Sequence, residues 1–237
     1  MVQSVRSNIE STNESPIVGS VEDNDVEVLR KRVQNTFANQ RRAVTLKDYE
    51  TLAYSMPYKF GALKRVKAIK NPNPRRGNLN IATIAVDSDD KLTAPNSILK
   101  ENLKTWLDKG RMVNDTVEIV DAKIINLGID FTVVGDLNKD SSVILQNCIT
   151  KLTEHFNVKA DIGEAFYITD VYKALKDVDG VIDVVDVQVK TKSGANYSST
   201  TFEVSDNLST DGRAINIPRN AIYEIKYPDA DIKGAVR

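Results

Sequence analysis

Ile129-Asp130-Phe131-Thr132-Val133-Val134 sets Ile129, Phe131 and Val133 on one side and Asp130, Thr132 and Val134 on the other. That two-residue period predicts a half-buried strand over 129–135. The period then changes within a turn. Asp140 or Ser141 can cap a helix running to about Phe156, with Ile144, Leu145, Cys148, Ile149, Leu152 and Phe156 as its apolar stripe. Upstream, Gly128 separates this strand from another at 117–125. Before it, a helix over 96–109 has Pro95 and Asn96 at its start and Gly110 just past its end. Its core face is Ile98, Leu99, Leu103, Trp106 and Leu107. Strands at 62–70 and 78–86 flank Asn71-Pro72-Asn73-Pro74-Arg75-Arg76-Gly77, where two prolines and a glycine demand a turn. Earlier still, Thr45-Leu46-Lys47-Asp48 forms a variant capping box, and Leu46, Tyr49, Leu52 and Ala53 share one face of a helix that Pro57 stops. Val26, Leu29, Val33 and Phe37, with Asp25 as N-cap, predict a first helix.

Downstream, Val171, Tyr172 and Leu175 mark a short helix near 168–177. It leads through Gly180 into a strand where Val185, Val187 and Val189 alternate with Asp186, Gln188 and Lys190. Short strands at 214–217 and 222–226 follow. Strand–helix alternation is too sparse and irregular for a doubly wound sheet. The expected fold class is α+β, with small mixed sheets and helices packed on one face of each. The expected division is a flexible acidic arm over 1–25, a first α+β block over 26–122, a second over 123–191, and a β-rich C-terminal extension over 192–237. The extension's strands either complete the second block's own sheet or form an edge that pairs with another copy.

The chain has 237 residues, with one Cys and one His, so disulfide scaffolds and multi-Cys/His zinc sites have no material. No run approaches a membrane-spanning length, and the first residues lack the apolar segment of a secretory signal. The expected compartment is a reducing cytosol, or a particle assembled there. The net charge of −1 conceals an uneven distribution. Residues 1–29 carry one basic and six acidic residues (−5). Residues 30–76 carry thirteen basic and two acidic (+11), leaving −7 for 77–237. The basic block reads as a solvated face, a phosphate-binding face, or a docking surface for an acidic protein.

Catalytic motifs are missing from the sequence. Neither G-x-x-x-x-G-K-[ST] nor G-x-G-x-x-G occurs. His155 sits at a helix end, where it suits the negative helix terminus better than a triad. Asp136-Leu137-Asn138-Lys139-Asp140 starts like an EF-hand loop, but Ser141 stands where glycine is needed and Asn147 where glutamate is needed. Cys148, on an apolar stripe, reads as a buried structural thiol. No catalytic, cofactor or metal residue is assigned. The basic block lacks interleaved stacking aromatics, so a nucleic-acid-binding module over 30–76 is the second reading.

One run does resemble a known family. Phe37-Ala38-Asn39-Gln40-Arg41-Arg42-Ala43-Val44-Thr45-Leu46-Lys47-Asp48-Tyr49-Glu50 is similar to a Q-x-R-A-V-T-x-x-D-Y-like segment of the baseplate J-like family of contractile phage tails. Gln40, Arg42, Ala43, Val44, Thr45, Asp48 and Tyr49 match it. Ile162-Gly163-Glu164, Val171-Tyr172-Lys173-Ala174-Leu175 and Val178-Asp179-Gly180-Val181 resemble the family's later helix and G-V strand. Ile217-Pro218-Arg219-Asn220 to Lys226-Tyr227-Pro228 resembles the baseplate wedge proteins of T-even-like phages, and the chain would correspond to their C-terminal part. The resemblance implies a non-enzymatic structural protein of the virion tail baseplate, assembled in the host cytoplasm. It would form homodimers, contact other wedge subunits, link wedges into a ring around the hub and take part in triggering sheath contraction. No cofactor, small-molecule substrate or membrane is implied, and nucleic acid is not an expected partner. Arg41, Arg42, Lys64, Arg65, Arg75 and Arg76 are the candidate basic interface, and Ile222, Tyr223 and Tyr227 the candidate C-terminal one.

Overall fold

The computed structural model describes residues 42–61, 63–71, 79–87, 91–157 and 160–237, together with Arg30 and Gln34. The acidic arm, the turn after Asn71 and most of the first helix lie outside the described residues. Of that helix, Arg30 and Gln34 are helical.

Thr45 caps α1 (Leu46–Tyr54) as its sequence requires. The Thr45 hydroxyl accepts the Asp48 N–H at 3.2 Å, and the Asp48 carboxylate accepts the Thr45 N–H at 2.8 Å. Each satisfies a donor that the first turn leaves without a partner. β1 (Arg65–Lys70) and β2 (Leu79–Val86) then pair antiparallel, Arg65 opposite Ile84 and Lys70 opposite Leu79. β3 (Leu92–Thr93) folds back on the end of β2. α2 (Ser97–Asp108) starts at Asn96, whose side-chain oxygen accepts the Leu99 N–H at 2.8 Å, and β4 (Val117–Asp121) returns parallel to β2. Tyr49, Ala53, Leu103 and Leu107 pack from the two helices onto Leu79 and Ile81.

Two positions assigned to helix core faces lie outside. Leu46 is exposed and Ile98 is 67% exposed. The buried stripe of α1 centres on Tyr49, Glu50 and Ala53, and that of α2 on Leu103 and Leu107.

The second sheet is built around β5 (Lys123–Gly135), which runs unbroken through Gly128. The expected strand break falls at Ala122 instead, where the chain leaves the first sheet and enters the second; the Ala122 N–H donates to the Thr83 carbonyl at 3.1 Å. Gly128 serves close approach: a Cβ there would collide with the Lys192 side chain and lie 3.0 Å from the Asp231 carbonyl. α3 (Ser141–Asn157), β6 (Phe166–Tyr167) and α4 (Ile168–Lys176) follow. β7 (Val181–Thr191) pairs antiparallel with β5. After β8 (Ala214–Ile215), β9 (Ala221–Glu224) and β10 (Ile232–Val236) pair in parallel with successive parts of β5, separated by α5 (Pro228–Asp231). The C-terminal strands therefore complete the second block's own sheet. Ile144, Cys148, Leu152, Val171 and Leu175 cover Ile125, Leu127, Ile129, Phe131 and Val133.

Val185 also departs from its expected face. β7 carries register shifts opposite Thr132/Val133 and Val134/Gly135, leaving Val185 and Ile182 as the extra residues. Both are exposed, while Val184 and Val187 turn inward. Tyr172 lies on the outer side of α4, whose buried residues are Val171, Ala174 and Leu175. The architecture is α+β: five α-helices and several small mixed sheets among the described residues, with helices on one face of each main sheet.

Candidate functional site

The first sheet's free face meets the second block. Ala82, Ile84, Ala122, Ile162 and Ile222 form a buried cluster there, flanked by Ile69, Leu92, Val120, Ile124 and Ala160. β2 is thus covered on both sides, by helices and by the other block, which explains its near-continuous apolar run Leu79-Asn80-Ile81-Ala82-Thr83-Ile84-Ala85-Val86.

A polar clamp crosses the same boundary. Glu224, at the end of β9, accepts the Leu92 N–H of the first block at 2.8 Å and the Asn126 amide of the second at 3.2 Å. Burial raises the Glu224 carboxyl above its ordinary value, against the pull of those bonds and of Lys226 and Lys91. Asn126, itself buried, also accepts the Ser198 N–H at 2.8 Å and so holds the 192–200 segment on the back of β5. Nearby, the Tyr197 hydroxyl donates to the fully buried Asp231 at 2.6 Å, and that bond raises the phenol to about 12. The Lys91 ammonium reaches over from the first block to lie 4.2 Å from the centre of the Tyr227 ring.

Beside the clamp, the two blocks leave a cleft of about 420 Å³. Among the described residues, Lys64, Arg65, Lys91 and Lys226 bring four cations to it, against the single carboxylate of Glu224. Leu92, Phe156, Ile222, Ile225 and Ile232 supply apolar lining. The volume falls within the range of ligand pockets, roughly 300–1,000 Å³.

The structure separates the basic residues that sequence places together. Lys64 and Arg65 line the cleft, and Lys64 is 9% exposed. Its N–H donates to the Ile84 carbonyl at 2.9 Å, at the far end of β2. Arg42 is exposed at the other end, beside Ala43, whose N–H donates to the Gly110 carbonyl at 2.8 Å. The five-residue strand path from Leu79 to Ile84 is roughly 17 Å long. Arg41, Arg75 and Arg76 lie outside the described residues. Ile222 is 1% exposed and belongs to the cluster between the blocks. Tyr223 is half-buried against Phe166, with ring centres 5.2 Å apart, and burial pushes its phenol to about 12. Lys91 and Glu224 carry no local signal of their roles, because only tertiary pairing across more than a hundred residues brings them together.

Of the two reactive side chains, Cys148 is buried in the core and His155 is exposed. Cys148 is fully buried, and desolvation pushes its thiol to about 11, leaving little thiolate at neutral pH. His155 lies edge-on to Phe156 in the last turn of α3. Among the described residues, no group of three or more His, Cys, Asp and Glu side chains is placed to hold a metal ion, and no helix is long and apolar enough to cross a membrane.

No protein-family model matches the sequence, and no curated protein matches it. A solved structure is similar in fold. It is a chain of the anti-feeding prophage (AFP) baseplate, determined by cryo-electron microscopy with six-fold symmetrisation, with a TM-score of 0.50 at 12% identity. The likeness covers 74% of this chain and 39% of that one, so the chain spans about two-fifths of the baseplate chain to which it is similar in fold.

Proposed function

We propose that this chain is a structural subunit of a contractile-tail baseplate: a wedge protein that self-associates, meets other wedge subunits and helps link wedges into a ring around the hub. The observation that carries the reading is the fold shared with a chain of a prophage baseplate over about three-quarters of the sequence. The motif run around Gln40–Tyr49 supports it independently. In this reading the protein acts by contact rather than turnover, is assembled in the host cytoplasm and takes part in triggering sheath contraction. Arg41, Arg42, Arg75 and Arg76 are the proposed contact with acidic surface on a neighbour, since complementary charge sets register and encounter rate. Multi-angle light scattering at low salt, with and without short duplex DNA, tests this. Self-association independent of DNA is expected, weakened at least ten-fold by Arg75→Glu with Arg76→Glu. A monomer that forms salt-sensitive complexes with the duplex would favour the nucleic-acid reading instead.

A further inference from the structure

The cleft between the blocks combines two properties that point to one kind of occupant. Among the described residues its cations, Lys64, Arg65, Lys91 and Lys226, outnumber one carboxylate, Glu224, whose oxygens accept the Leu92 N–H and the Asn126 amide. Its accessible apolar lining includes the partly buried Leu92, Phe156 and Ile225. A free phosphate or other small anion would use the charge and leave the apolar lining wet. A peptide that places apolar side chains between carboxylates uses both.

This chain contains such a peptide. Glu14-Ser15-Pro16-Ile17-Val18-Gly19-Ser20-Val21-Glu22-Asp23-Asn24-Asp25 sets Pro16, Ile17 and Val18 between Glu14 and the acidic group Glu22, Asp23 and Asp25, with no basic residue among the twelve. We propose that residues 14–25 dock in the cleft between the two blocks of the same chain. Ile17 and Val18 lie against the apolar lining, and the flanking carboxylates meet Arg65, Lys91 and Lys226. The proposal goes beyond the baseplate reading and does not rest on it.

The tether is long enough. Twenty-five residues separate Ile17 from Arg42. Even at the helical rise that separation spans about 37 Å. Arg42 lies at the Leu79 end of β2 and the cleft at its Ile84 end, so the path along the strand is roughly 17 Å. A segment linked at that distance experiences an effective concentration on the order of millimolar, so modest contacts suffice to hold it.

Cysteine cross-linking in the full chain tests the proposal. Ser20→Cys places a thiol in the segment, and Thr153→Cys places one in the cleft lining. The native Cys148 stays silent because it is fully buried. The control pairs Ser20→Cys with Leu137→Cys, a position 99% exposed and outside the cleft. Under mild oxidation at low salt, the Ser20/Thr153 pair is expected to close within one chain at least ten-fold faster than the control. Adding Lys91→Glu and Lys226→Glu is expected to slow closure at least ten-fold, with circular dichroism confirming that the variant is folded. Raising salt to about 1 M, where the screening length falls to about 3 Å, tests the same charge dependence without substitution. Equal rates for the two pairs, closure indifferent to salt and charge reversal, or cross-links formed only between chains would each overturn the proposal.

Discussion

Tyr49 has two duties that its sequence position does not separate. Spacing places it on the core face of α1, and it is 1% exposed there. Its hydroxyl also donates to Asp115 at 2.6 Å and accepts the Met112 N–H at 3.3 Å, anchoring the segment that leads into β4. Tyr49→Phe keeps the packing and leaves both partners without this bond. The expected loss is about 1–2 kcal/mol, measured by urea unfolding. Burial, reinforced by the Asp115 bond, pushes the Tyr49 phenol from 10.0 to about 12. The fold therefore holds that proton more tightly than the unfolded chain does. The associated stability is complete below pH 10 and fades as pH rises through about 12, and Tyr49→Phe is expected to remove that part of the alkaline profile. The ring's burial was legible from spacing; the hydroxyl's partners, more than sixty residues away, were not.

Elements were more legible than their faces. The caps of α1 and α2 and the stripe of α3 follow from local chemistry, and each appears where its residues place it. Leu46, Ile98 and Val185 are apolar residues that periodicity turns inward and the structure turns outward, since helix ends and strand bulges rotate faces that spacing treats as fixed. The ladder of β5 was hidden for a related reason. Gly128 reads as a break, yet it keeps the strand continuous by making room for Lys192. Gly234 in β10 has a similar part. A Cβ there would collide with the Phe131 ring and lie 2.8 Å from Leu145 Cδ1. Gly234→Ala is expected to cost about 1–3 kcal/mol by overpacking, read as a lowered thermal midpoint. The edge of β1 is managed by side chains: its Val66 and Ala68 N–H groups donate to the Tyr54 hydroxyl and to Glu50. A partner strand would have to displace α1 to pair there.

Across the whole molecule, a small apolar cluster, the Glu224 carboxylate and the Lys91–Tyr227 contact couple the two blocks. Glu224→Ala removes the bonds to Leu92 and Asn126 while leaving Ile84 packed near Ile222. It is expected to cost about 1.5–3 kcal/mol and to broaden or split the calorimetric transition as the blocks lose their common cooperativity. Burial raises the Glu224 carboxyl, so its contribution is most favourable below the ordinary glutamate range and declines as pH rises through the raised value. That decline is expected to be absent from the alanine variant. The cleft beside this carboxylate draws its lining from four separate stretches of chain. The sequence displayed the +11 segment but not its division between two ends of a sheet, because one-dimensional charge says nothing of which strand end a residue occupies.

The parallel pairing of β10 with β5 has a consequence for the order in which the chain acquires structure. Ile232 meets Ile129 across more than a hundred residues of intervening chain, whereas every strand of the first sheet is present once Asp121 has been made. On the ribosome, the first block can fold while the second still lacks its edge, leaving Ala82 and Ile84 uncovered until Ile222 arrives. Long-range closure of this kind is slow, and the waiting surface is one that could capture the wrong partner. Arrival of the strand that carries Ile222, rather than completion of the first sheet, therefore decides when that surface is covered.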